Sequence, residues 1–151
     1  MRQHLLIGSL LTVFLIGSFF IFNAMPRWFD TDSSRRSLSV GGEVFEIDVA
    51  ETPLTRAQGL SDRETLAKND GMLFIFDSAD YQGFWMKDMK FPIDIIWIKG
   101  DRVVGWQEAA PPDDDPNRAV YYSPEPVDKV LEVSSGAVAR LGLRIDDIIK
   151  F

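Results

Sequence analysis

PIDIIWI, residues 92–98, carries the strongest β signal in the chain. It is β-branched and aromatic, with Pro92 at its start and KGDR (99–102) at its end. A strand here puts Ile93, Ile95 and Trp97 on one face and Asp94, Ile96 and Ile98 on the other. Both faces are apolar, so both are expected to be covered, and Asp94 is carried inside. A buried carboxylate has to be paired, hydrogen-bonded or protonated.

Reading outward, RVVGWQEA (102–109) follows across a short turn at Gly100-Asp101 and should pair with this strand. On the other side, MLFIF (72–76) is a short apolar run between turns, which predicts a strand buried on both faces, and GFWMK (83–87) predicts another. VFEIDVA (44–50) alternates, with Phe45, Ile47 and Val49 inward and Glu46 and Asp48 outward. Gly41-Gly42 predicts a hairpin turn from SLSV (37–40). VDKVLEV (127–133) and the closing DIIKF complete the strands. Thr52, Pro53 and Gly59 predict a capped first helix, and Ser61 with Glu64 forms a capping box for a second. A third should span 134–143, with a serine cap and Gly142 at its end. The total is seven or eight short strands with two or three short helices. The expected fold is α+β and mainly β: a compact antiparallel sheet or a partly closed barrel.

Leu5 to Phe22 is an uncharged apolar run. At ~1.5 Å per residue it reaches ~27 Å, close to the ~30 Å of a bilayer core. It predicts a transmembrane anchor over 5–22, with a cleaved signal peptide as the alternative. Residues 1–4 would be a short cytoplasmic start, 23–37 a polar linker, and 38–151 one globular domain on the exported side, periplasmic or extracellular. With Arg2 set aside, 15 basic residues face 23 acidic ones, a balance that argues against nucleic acid as a partner. The only histidine, His4, precedes the apolar run, and cysteine is absent. His-dependent triads, cysteine nucleophiles and the usual zinc sites are therefore excluded from the globular part. No cofactor is expected.

The pieces RAQGLSDRETL, DGMLFIFDSADYQGFWMKDMKFPIDIIWI, VLEVSSGAVARLGL and DDIIKF agree in order and spacing with a bacterial and archaeal family, "domain of unknown function, number 192". The chain resembles that family over nearly all of its globular part. The resemblance implies a compact β-rich fold, often exported behind a signal or anchor, and implies no activity. The chain departs from the family pattern at Ser61, where methionine is usual, at Asp88-Met89, where Asn-Thr is usual, and at Asp146, where glycine is usual.

The candidate site residues fall into three groups. Asp94 and Glu132 are carboxylates within apolar strands, and as a pair in one cleft they could perform acid–base chemistry such as glycan hydrolysis. Otherwise each accepts backbone hydrogen bonds or pairs with Lys87, Arg56 or Arg63. Trp85, Lys87, Asp88, Trp97, Arg56 and Arg63 are candidates for ligand contacts. Met86, Met89 and Trp85 could hold Cu(I), although in a strand the two methionines would face opposite ways. The leading expectation is a membrane-tethered binding or interaction domain for a small ligand or an envelope protein. A carboxylate-pair envelope enzyme and a Cu(I) binder are the alternatives.

Overall fold

Ile93 to Lys99 forms a strand in which every residue from Ile93 to Ile98 is buried. The structure, a computed structural model, describes residues 35–115 and 119–151. The expected anchor over 5–22, the start at 1–4 and most of the linker lie outside the described residues. Among the described residues no helix is long and apolar enough to cross a membrane.

In chain order the elements are β1 (Arg36–Val40), β2 (Glu43–Ala50), α1 (Pro53–Gln58), β3 (Asp70–Asp80), β4 (Gly83–Phe84), β5 (Ile93–Lys99), β6 (Arg102–Ala110), β7 (Tyr121–Tyr122), β8 (Val127–Ser134) and α2 (Ala137–Leu141). Six strands make one open sheet in the order β1-β2-β3-β8-β5-β6, and β4 pairs with β7 as a separate ribbon. Among the described residues the fold is mainly β with two short helices, as expected. The sheet does not close into a barrel, because β1 and β6 stay at opposite edges. Nor is it purely antiparallel, since β2 and β3 run parallel. A parallel pair needs a crossover, and residues 51–69, which include α1, supply it.

The face periodicity of PIDIIWI separates two cores. Ile96 and Ile98 join Phe45, Ile47, Leu131 and Val133 on one face, under α2 and the C-terminal segment. Ile93, Ile95 and Trp97 join Met72, Phe74 and Val130 on the other. Fully burying such side chains contributes about 1.5–3 kcal/mol each, which explains why the central strands read as continuous apolar runs.

α1 has the expected N-terminus. The Thr52 hydroxyl accepts from the Thr55 N–H at 3.1 Å, and Thr55 Oγ1 accepts from the Thr52 N–H at 3.0 Å. The second helix does not form. Ser61 donates its hydroxyl to the Lys87 carbonyl at 3.1 Å, Asp62 takes φ +64, and Glu64 pairs with Lys90. A tertiary hydrogen bond here outcompetes the capping box. The expected GFWMK strand stops at Phe84. Beyond it the chain turns, with Asp88 at φ +57, and the Met89 N–H donates to the Met86 carbonyl at 3.4 Å. Both methionines therefore enter the same core rather than opposite faces. The closing residues give only bridges, Lys150 with Ser39 and Ile148 with Arg102.

β3 and β8 approach closely at Gly71, where an added Cβ would lie 2.6 Å from the Glu132 carbonyl oxygen. Backbone cannot move aside as a side-chain tip can. Gly71→Ala is expected to destabilise the fold by roughly 1–3 kcal/mol, read as a lower urea midpoint. An unchanged midpoint would place the two strands further apart than the structure has them.

Candidate functional site

Three segments converge over β8. α1 ends at Gly59, which takes φ +52, and the chain then drops Leu60 into the core. β3 brings Phe74 and Phe76, and the residues leading into and out of β4 bring Gln82, Phe84 and Trp85. Between them lies a cleft of about 240 Å³. Arg56, Gln58 and Ser61 line its α1 side, and Glu132 lies at its base.

Glu132 is set on β8 directly between Met72 of β3 and Ile95 of β5. It is 5 % exposed. Among the described residues nothing donates a hydrogen bond to its carboxyl; the interaction it has is the electrostatic pull of Arg63. Burial pushes its pKa from 4.5 up to about 8, against that pull. At neutral pH the group is mainly the uncharged acid, able both to donate and to accept.

Arg63 Nη2 is bound to Asp48 Oδ2 at 2.8 Å, and Arg35 Nε lies 3.5 Å from Asp48 Oδ1. Asp48 is a carboxylate that strand periodicity placed outward. It is buried, because β2 is covered on both faces at its C-terminal end. It flanks Met72 from the side opposite Glu132, so Asp48, Met72 and Glu132 form one row across the sheet. Its inclusion in this row depends on the β2–β3 pairing, which leaves no local signature in the sequence.

Asp94 is not in this row. It is 0 % exposed and pairs with Val133, whose side chain belongs to the other core. Its Oδ1 accepts from the Ala109 N–H and its Oδ2 from the Val138 N–H, both at 2.9 Å. Ala109, at φ +49, lies where β6 carries an extra residue opposite β5. Val138 is in the first turn of α2, whose own N-cap, Gly136, has no side chain to offer. The expected serine cap is thus replaced by a carboxylate from β5. Asp94 and Glu132 point to opposite faces of the sheet, so the structure does not bring them together as an acid–base pair.

The other candidates divide similarly. Arg56 and Trp85 line the cleft, and Trp85 is 56 % exposed. Arg56 Nη1 donates to the Glu51 and Ile75 carbonyls at 2.8 and 2.9 Å, and its guanidinium lies 5.2 Å from the Phe76 ring centroid. Trp97 is buried behind the cleft wall, edge-on to Phe84 at 5.6 Å. Lys87 and Asp88 form a half-exposed ion pair of 3.4 Å within their own turn, outside the cleft. Met86 is buried, and Met89 adds an edge to the cleft. Gln58, Ser61, Phe76 and Gln82 escaped the sequence reading. The family departure at Ser61 was the only hint of any of them.

The family model described as "Uncharacterized ACR", domain of unknown function 192, matches residues 36–151, from the first residue of β1 to the last residue of the chain. No curated protein matches by sequence. Solved structures are similar, two of them as follows. One is a protein of unknown function from Novosphingobium aromaticivorans, 31% identical, with a TM-score of 0.71, covering 78% of this chain and 85% of its own. The second, from Sinorhizobium meliloti, carries a provisional description as a transcription regulator; it is 31% identical, with a TM-score of 0.68, covering 76% of this chain and 89% of its own. The chain belongs to the family described as "Uncharacterized ACR", domain of unknown function 192.

Proposed function

We propose that the protein is a binding domain that takes a small ligand in the cleft over Glu132. The supporting observation is a buried carboxyl that receives no hydrogen bond from the described residues, at the base of a concave, aromatic-walled site. Buried polar groups of folded proteins are overwhelmingly hydrogen-bonded, and the exceptions call for an explanation. Here a ligand group would supply the missing partner. Concave apolar sites with a few convergent polar groups are the usual form of a small-molecule site. The apolar run over 5–22 would hold this domain at a membrane, on its exported side.

The experiment is an amide-resolved NMR screen of the labelled protein against a fragment library. Ligand-induced shifts should centre on Gly59, Ser61, Phe84 and the Trp85 indole, with Trp85→Ala weakening the hits at least fivefold. Shifts confined to the opposite face of the sheet, or none from any fragment, would remove the reading.

A further inference from the structure

We propose that the cleft receives the ammonium head of a small organic cation, with the Glu132 carboxylate as its counter-ion and the Phe84 and Trp85 rings as its walls. This rests on the binding reading above and names the ligand class. Three observations converge on it. Glu132 is 5 % exposed, borders the cleft and accepts no hydrogen bond from the described residues, so its donor has to come from outside. A charged donor forms the strongest bond available to a carboxylate, roughly twice a neutral one.

The walls favour the same sign of charge. Aromatic faces are electron-rich and attract cations, most strongly where water is excluded. One ring of this cleft already carries one, the Arg56 guanidinium over Phe76. Finally, the chain carries a net charge of −7, which draws cations toward the surface and repels anions.

The charged neighbours leave room for one more cation. Arg63 is held by Asp48 at 2.8 Å, and Arg56 by two backbone carbonyls. From β3 and β5 the flanking residues are Met72 and Ile95, and the segment after β4 contributes Trp85 and Met89. Lys87 and Asp88 neutralise each other outside the cleft. Glu132 is therefore the group that changes charge when a cation enters. Below pH 8 the carboxyl loses its proton to solvent as the ammonium takes its place.

The test is calorimetric titration of the full chain with choline and with butylammonium at pH 6, 7, 8 and 9. Cellobiose and acetate serve as neutral and anionic comparisons. Butylammonium affinity should rise about tenfold per pH unit from 6 to 8 and level off above, with close to one proton released per cation at pH 6, and choline, whose head carries the charge but no N–H, should follow the same course with weaker binding. Glu132→Gln should lose that pH dependence and at least tenfold of the affinity at pH 8. Trp85→Ala, at an exposed position, should weaken butylammonium at least fivefold with the pH dependence intact. Affinity that is flat in pH, or cellobiose binding while both cations give no heat, would overturn the ligand class and leave the binding reading standing. Silence from every probe and from the fragment screen would overturn both.

Discussion

Replacing Glu132 by glutamine should make the protein progressively more stable than the parent as the pH rises, with the gap widening by about 3–5 kcal/mol between pH 5 and pH 9. Glu132 has an ordinary pKa of 4.5 when unfolded and about 8 in the fold. Between those values the folded chain holds a proton that the unfolded chain has released. The unfolded state therefore binds fewer protons, and stability falls with rising pH, by up to ~1.4 kcal/mol per unit. The contribution from the raised pKa is complete below pH 4.5 and lost as the pH passes 8. Glutamine cannot ionise, so the variant escapes the loss. Urea unfolding of both proteins at pH 5, 7 and 9 measures the gap, and other titrating groups cancel in the comparison. Parallel curves would mean that Glu132 ionises as an exposed carboxylate does and that the cleft base is wet.

Asp94→Ala should cost about 3–5 kcal/mol, a large share of the 5–15 kcal/mol typical of a domain. The substitution strands two buried N–H groups, those of Ala109 and Val138, at roughly 1–3 kcal/mol each. Asp94→Asn should fall between the parent and alanine, because an amide offers one acceptor oxygen but turns its NH2 toward the second N–H. Hydrogen exchange separates this role from a general weakening. The Ala109 and Val138 amides should lose protection well beyond that of the central strands. Uniform loss, or a change below ~1 kcal/mol, would show that Asp94 anchors neither the β6 irregularity nor α2.

The individual strands were legible because their signals are local. PIDIIWI and MLFIF are each apolar enough to demand cover on both faces, VDKVLEV reads as a strand, and Thr52-Pro53 with Gly59 bounds a helix by its own chemistry. What the sequence hides is relational. Asp94 and Glu132 were both correctly expected to be buried. Their pairing failed because Glu132 lies opposite Ile95, while Asp94 lies opposite Val133. A register one residue different would have put both carboxylates on one face. Register is set by contacts between strands distant in sequence, and no strand encodes it alone. The same reasoning covers Asp48, whose outward position by alternation became interior where the crossover after β2 brings Arg63 onto that face. Ser61 and the 85–89 segment failed for a related reason. Each was read as the start or body of a regular element, and each instead bonds across a gap in sequence that local propensity does not span.

β8 lies between β3 and β5 at the centre of the sheet, yet it follows every other described strand in sequence. A chain emerging from its N-terminus cannot complete that centre early. Until residue 134 is free, β1–β2–β3 and the β5–β6 hairpin are separate pieces, each ending in an apolar strand with an open row of backbone donors and acceptors. Such edges invite pairing with other chains. The arrangement makes closure of the sheet wait until β8 is free, and its late, long-range pairing predicts slow formation relative to hairpin-first sheets.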